Sequence, residues 1–206
     1  MEQPIDDPVE PMEPAEPEGA PQPDRAARLR IRRQRGRRQA IEWVLLIGAA
    51  LVIALVIKTF LFQAFYIPSE SMVPTLKVHD RVLVNKLSYK LHPVHRSDIV
   101  VFTKPKGELS NIKDLVKRVV ALPGETVEGR DGHVYVDGKR LDEPYLPPGI
   151  TTQAFPARPI PSNAVWVMGD NRGQSEDSRV FGPILKSSIV GRVFVRIWPL
   201  TRLAFL

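Results

Sequence analysis

Lys117-Arg-Val-Val-Ala-Leu-Pro-Gly-Glu-Thr-Val-Glu-Gly129 sets the reading of the larger part of this chain. It is rich in β-branched residues, carries Pro and Gly as punctuation, and holds no 3.6-residue apolar repeat. Five more segments share its character: RVLVNKL (81–87), DIVVFTK (98–104), HVYVDGKRL (133–141), NAVWVMGD (163–170) and SIVGRVFVRIW (188–198). Asp137-Gly138, between HVYV and KRL, has the chemistry of a two-residue hairpin turn. Prolines crowd residues 143–161, which predicts an irregular surface connection there. No internal repeat is present. Residues 66–206 therefore read as an all-β domain of about 140 residues, large enough for a real core.

The residues before that domain have a different character. Residues 1–24 hold eight acidic residues, no basic ones and seven prolines, the composition of a disordered acidic tail. Residues 25–38 then carry eight arginines and no acid, so the two blocks cancel. The net charge of +6 belongs to the remaining 168 residues, and no domain-wide basic field calls for nucleic acid as a partner. From Trp43 to Phe62 run twenty residues with one charge, Lys58. As a helix they rise roughly 30 Å, the thickness of a bilayer core. The arginines lie immediately before the span and belong in the cytoplasm by the positive-inside rule. A cleaved signal peptide has a shorter apolar core and no acidic tail ahead of its basic region. The expected organisation is an acidic tail (1–24), an Arg-rich cytoplasmic segment (25–42), one transmembrane signal-anchor helix (43–65) and an extracytoplasmic domain (66–206).

Cysteine is absent, which removes disulfides, thiolate nucleophiles and every cysteine-ligated metal site. Of the four histidines, His92 and His95 have a metal-like spacing. Pro93 between them prevents the helical face on which such a pair converges, so no metal and no cofactor are expected. Ile67-Pro-Ser-Glu-Ser-Met-Val-Pro-Thr-Leu76 is too proline-broken for helix and sets Ser69 and Ser71 at alternate positions. In an extended backbone both hydroxyls face one point, although a polar linker leaving the membrane has the same composition. Strand alternation puts Lys117 on the face of Leu115, Val119 and Ala121. There it is either a solubilising charge at the strand edge or a desolvated amine able to take a serine proton. Arg118 cannot act so, because a guanidinium stays protonated. Met168-Gly-Asp-Asn-Arg-Gly-Gln-Ser-Glu-Asp-Ser-Arg179 is a polar loop, suited either to solvent or to bracing a site.

In order along the chain, Pro68–Leu76, Asp98–Phe102, Lys117–Glu125 and Gly169–Arg179 resemble the motifs of the bacterial type I signal peptidase family. The acidic tail lies outside that pattern. The resemblance implies a Ser–Lys serine endopeptidase: Ser71 as nucleophile, Lys117 as general base, and the Ser69 hydroxyl with the Ser71 N–H as oxyanion donors. It implies that Ser175 orients the Lys117 amine, that Asp177 and Arg179 pair to brace the loop, and that Asp170, Asn171 and Arg172 shape it. It also implies a mostly β, antiparallel architecture with a less regular second lobe inserted at about 127–163. Shallow apolar pockets involving Ile67, Met72 and Val116 would accept the small side chains of A-x-A-like sites on signal peptides. The implied partners are preprotein signal peptides and membrane lipid.

Glu70, between the two serines, stands where glycine is frequent in relatives, and its carboxylate must point outward or repel the oxyanion. Ser97 replaces a frequent glycine before the DIVVF strand. The soluble, self-cleaving Ser–Lys proteases of the SOS-repressor type have a similar catalytic core but no hydrophobic span. A membrane-anchored, non-catalytic scaffold or an inactive relative is the alternative from another class. It explains residues 25–62 and leaves Ser69, Ser71, Lys117 and Ser175 without a purpose. The C-terminal run with Phe194, Ile197, Trp198, Leu200, Leu203, Phe205 and Leu206 suits either a surface resting on lipid or a closing core strand.

Overall fold

The computed structural model describes residues 25–57, 61–105 and 113–206; within the first stretch, side chains are described at 39 and from 41 onward. The tail at 1–24 and Lys58 lie outside the described residues. The chain divides into two compact units, Met1–Leu51 and Val52–Leu206.

Helix α1 (Arg25–Val56) takes in the arginine block and most of the apolar run. Trp43, Val44, Leu45, Leu46 and Ile47 are all exposed. Five consecutive residues at 100° each cover every face, so no side of the helix is polar along this run. Residues 43–56 rise about 21 Å, and the chain is already in strand β1 (Phe62–Tyr66) where an anchor helix to 65 was expected. Among the described residues no helix is long and apolar enough to cross a membrane. The strand has a local cause: Phe62 to Tyr66 pair in register with Asn85 to Arg81 of β2 (Arg81–Asn85), and that ladder satisfies backbone groups a helix would otherwise hold.

The remaining strands are β3 (Ile99–Thr103), β4 (Asp114–Ala121), β5 (Thr126–Arg130), β6 (His133–Val136), β7 (Lys139–Arg140), β8 (Phe155–Pro159), β9 (Ala164–Met168), β10 (Ile184–Leu185), β11 (Ile189–Trp198) and β12 (Ala204–Phe205). Short helices α2 (Ser88–Leu91) and α3 (Ser178–Phe181) interrupt them. The larger sheet has the order β1-β2-β11-β3-β4-β9-β10, with β12 added to β11, and each of its pairings is antiparallel. β3 and β9 are continuous apolar runs, as strands covered on both faces must be. A register irregularity between Val119 and Ala121 breaks strict alternation along β4. Val119 consequently packs with Val100, Phe102 and Val167, whereas Ala121 joins Val127, Val134 and Trp166.

The smaller sheet, β7-β6-β5-β8, occupies residues 126–159. Asp137 and Gly138 both have positive φ (49° and 75°), as a type I′ turn requires. Strand β8 lies in the proline-crowded segment where the sequence predicts only irregular chain. It is an edge strand, and Pro156 and Pro159 are tolerated there because the outer side of an edge needs no donor. Its Phe155 ring lies on Gly129, where a Cβ would strike it, and stacks on Trp166 with centroids 5.5 Å apart. At the C-terminus, Leu206 returns to the core through a bond from its N–H to the Phe194 carbonyl (3.0 Å). Trp198, Leu200, Leu203 and Phe205 remain exposed.

Candidate active site

The segment 67–76 has no regular structure of its own and is held by burial. Ile67, Met72 and Leu76 enter the cluster of Val82, Val84, Ile99, Val101 and Val193, each burial contributing about 1.5–3 kcal/mol. Backbone bonds close its ends, from Ile67 N–H to the Asp80 carbonyl (2.9 Å) and from Leu76 N–H to the Met72 carbonyl (2.8 Å). Ser71, next to Met72, is thereby buried to 8% exposure. Lys117 comes from the middle of β4, opposite Val100 of β3, and is 4% exposed. Its Nζ and Ser71 Oγ are in hydrogen-bond contact at 2.6 Å. Ser69 Oγ stands 3.4 Å from Ser71 Oγ on the open side. The Glu70 side chain between them is exposed, as the sequence requires.

Residues 169–179 wrap the other side of Ser71. The Asn171 N–H donates to the Ser71 carbonyl (3.1 Å) and its Nδ2 to the Glu70 carbonyl (3.2 Å), which fastens the serine segment at the nucleophile candidate. Asp170 accepts from Thr75 Oγ1 (2.6 Å) and, with both oxygens, from Arg118 Nε (2.8 Å) and Nη2 (2.6 Å). Asp177 accepts from the Gly169 N–H (3.0 Å), takes a bidentate pair from Arg179 (2.8 Å each), and caps α3 through the Arg179 N–H (3.2 Å). The Ser178 hydroxyl accepts from the Val167 N–H (2.9 Å), tying this turn to β9.

Gly169 has no side chain for a steric reason: a Cβ there would collide with the Ser71 carbonyl and the Ser175 hydroxyl. Gly169→Ala is expected to push the two segments apart and abolish activity. Because the clash is with backbone, melting should also fall by several degrees, which circular dichroism with heating would measure.

Ser175 Oγ is buried and, among the described residues, within hydrogen-bond distance of no partner. The hydroxyl is stacked behind the Ser71 backbone, across Gly169.

Sequence reasoning passes over a second network. The Arg172 side chain is 1% exposed; it donates to Thr152 Oγ1 (2.6 Å) and pairs with Glu143. The Tyr145 hydroxyl donates to Glu143 (2.7 Å), and its ring lies under the Arg118 guanidinium, 4.0 Å from the centroid. Burial, then the Glu143 charge, push the Tyr145 phenol far up, so it stays a donor. Burial acts to lower Arg172, but the hydrogen bond and charge of Glu143 outweigh it and the net direction is upward. One legible signal was Arg118 itself, a permanent charge within a β-branched run, which demands a buried carboxylate. Its identity as Asp170 was not readable, nor was the involvement of Thr75 or Tyr145.

Beside the Ser71–Lys117 contact lies a cleft of about 240 Å³, floored by Ile67, Met72 and Val116 and bounded by Phe65, Tyr66 and Leu115. His92 and His95 lie elsewhere, their rings stacked 5.5 Å apart. Among the described residues no group of three or more metal-ligating side chains converges.

Fold and site together define an antiparallel β protein in which a buried serine and a buried lysine meet at the edge of an apolar cleft. The chain belongs to the signal peptidase family, peptidase S26, whose model matches residues 40–198. It is 42% identical to a signal peptidase I of Leptolyngbya laminosa over 167 residues, 79% of this chain and 82% of that one. With a signal peptidase I of Bacillus caldolyticus it shares 38% over 185 residues, 84% and 96% of the two chains. A crystal structure of a signal peptidase I from Enterococcus faecalis is 33% identical, with a TM-score of 0.42, covering 49% of this chain and 97% of that one.

Proposed function

We propose that this chain is a membrane-bound serine endopeptidase that removes N-terminal signal peptides from exported preproteins, cutting after A-x-A-like sites. The observation that carries the reading is the 2.6 Å contact between Ser71 Oγ and the Nζ of a lysine buried to 4% exposure. Removal from water disfavours the ammonium form, and a neutral amine at this distance takes the hydroxyl proton as Oγ attacks the scissile carbonyl. The oxyanion so formed accepts from Ser69 Oγ and the Ser71 N–H. The lysine, now charged, gives its proton to the leaving amine, and water then hydrolyses the acyl-serine by the same proton route. Ser175 Oγ, buried and lacking a partner, is the acceptor available to the Lys117 ammonium during that interval. The cleft over Ile67, Met72 and Val116 suits small apolar side chains and excludes large ones by contact.

The anchor in this reading is the apolar segment from Trp43 to just before Phe62, crossing once with the arginines in the cytoplasm and residues 66–206 outside. Its support is the part of the helix from Trp43 that is apolar on every face and the arginine block that precedes it. A scaffold role would leave the buried Ser71–Lys117 contact without a use.

The test is cleavage of a preprotein by detergent-solubilised wild type beside Ser71→Ala, with sequencing of the product's new N-terminus. Cleavage after a small residue by wild type alone is expected. Equal cleavage by both proteins would remove Ser71 as nucleophile, and no cleavage by either, with the fold intact, would favour the scaffold.

A further inference from the structure

The chain between β7 and β8, residues 141–154, has no regular structure of its own. Both ends are tied to the smaller sheet: the Leu141 N–H donates to the Val134 carbonyl (2.8 Å) and the Thr152 N–H to the Gly132 carbonyl (2.9 Å). Between them the Leu146 N–H donates to the Glu143 carbonyl (3.0 Å), closing a β-turn. Pro144 is its second residue, with φ already set for that position. The turn presents Glu143 and Tyr145 together.

Two lines of contact run from this turn toward Ser71. In the first, the Tyr145 ring lies on the Arg118 guanidinium, 4.0 Å from its centroid. The in-plane donors of Arg118 are engaged by Asp170, by the Ser97 carbonyl (3.0 Å) and by Thr75 Oγ1 (3.3 Å). The flat face of the cation has no donor to offer, and an aromatic face covers it with a favourable electrostatic contact. Asp170, held by Arg118, precedes Asn171, whose N–H donates to the Ser71 carbonyl. In the second line, the Tyr145 hydroxyl donates to Glu143, Glu143 pairs with Arg172, and Arg172 Nε donates to the Gly169 carbonyl (3.2 Å). The two lines meet at Tyr145.

The first line has the larger leverage, because an ion pair as buried as Arg118–Asp170 depends on water being kept from it. We propose that Tyr145 is a positioning residue for the reaction at Ser71: its ring, by covering Arg118, holds the Asp170–Asn171 turn against the serine segment. The proposal rests on the peptidase reading and adds to it a residue outside the cleft, since Tyr145 does not line the space over Ile67, Met72 and Val116. Without the ring, water reaches the pair and the turn draws back from Ser71. A nucleophile displaced by about 1 Å loses about a hundredfold in rate.

The test measures kcat and KM for a signal-peptide substrate with the full chain in detergent, for wild type, Tyr145→Met and Tyr145→Phe. Each is assayed about 20 °C below its own melting temperature, where a cooperative domain is almost wholly folded. Tyr145→Met fills much of the space without an aromatic face, and its kcat should fall about a hundredfold. Its KM should stay within about twofold, because the cleft is untouched. Tyr145→Phe keeps the face and loses the hydroxyl, and should retain kcat to within about threefold. If Tyr145→Met does not fold, Tyr145→His, whose smaller ring covers less of the guanidinium, is measured with the same expectation of kcat lost and KM kept. A wild-type kcat in Tyr145→Met at that temperature would reduce the ring to a stabilising contact and overturn the role. An equal loss in Tyr145→Phe would move the effect to the hydroxyl and Glu143, and a raised KM at constant kcat would move it to substrate binding; either overturns the assignment. Absence of cleavage by the wild type would remove the peptidase reading and this proposal with it, whereas a loss confined to the variants leaves that reading intact.

Discussion

Lys117→Arg is expected to lower the turnover of preprotein at least about a thousandfold, although it keeps the positive charge. The guanidinium does not lose its proton at any working pH, so it can neither accept from Ser71 nor return a proton to the leaving amine. The fold should persist, because β4 is held by its ladders to β3 and β9 and by Val119 and Val120 in the core. Lys117→Met, which keeps the aliphatic stem and has no base, should be equally inactive and melt near wild type. Single-turnover kinetics on a signal-peptide substrate measure the loss, and far-ultraviolet circular dichroism checks the fold. Activity surviving in Lys117→Arg would place the base elsewhere. The wild-type rate should climb with pH until the amine has lost its proton and then level. The sign follows from the mechanism, since only the neutral amine accepts. A rate unchanged between pH 5 and 9 would count against lysine in that role.

Asp170→Ala is expected to destabilise the domain by about 3–5 kcal/mol, because it strands the Arg118 guanidinium at 8% exposure with its principal partner gone. For a domain of this size that is a fall in melting temperature on the order of 10 °C. Activity should fall further than stability explains. Asp170 also holds Thr75, and its neighbour Asn171 holds the Ser71 carbonyl, so releasing the loop frees the serine segment. Pairing Arg118→Met with Asp170→Leu removes both charges together and should recover much of the stability, but not the activity. Thermal melts of the three variants beside their cleavage rates make the comparison. An Asp170→Ala protein that melts as wild type would mean the ion pair contributes nothing net.

The two expected results divide along the line between what sequence carries and what it does not. Strand character was legible in segments such as IVVFT and AVWVM, because an apolar β-branched run has few other uses. The Asp137-Gly138 turn was legible because few residue pairs accept its backbone angles. Strand β8 was hidden by its prolines, whose tolerance depends on being at an edge, and edge position is a property of the assembled sheet. The strand at Phe62–Tyr66 is hidden for the same reason: it follows an apolar run without a Pro or Gly to mark a break, and pairing with β2 is what makes it strand.

At the site, the residue types were readable and the contacts were not. The sequence by itself determined that a proline-broken segment with two serines, a lysine in a β-branched strand and a polar glycine-containing loop follow one another in that order. Only the tertiary structure decided that Ser71 meets Lys117 across 46 residues, that Asp170 meets Arg118 across 52, and that Ser175 and the Ser71 carbonyl close on Gly169. Local propensity acts over a few bonds, whereas these pairings are set by strand register and by which apolar faces close the core.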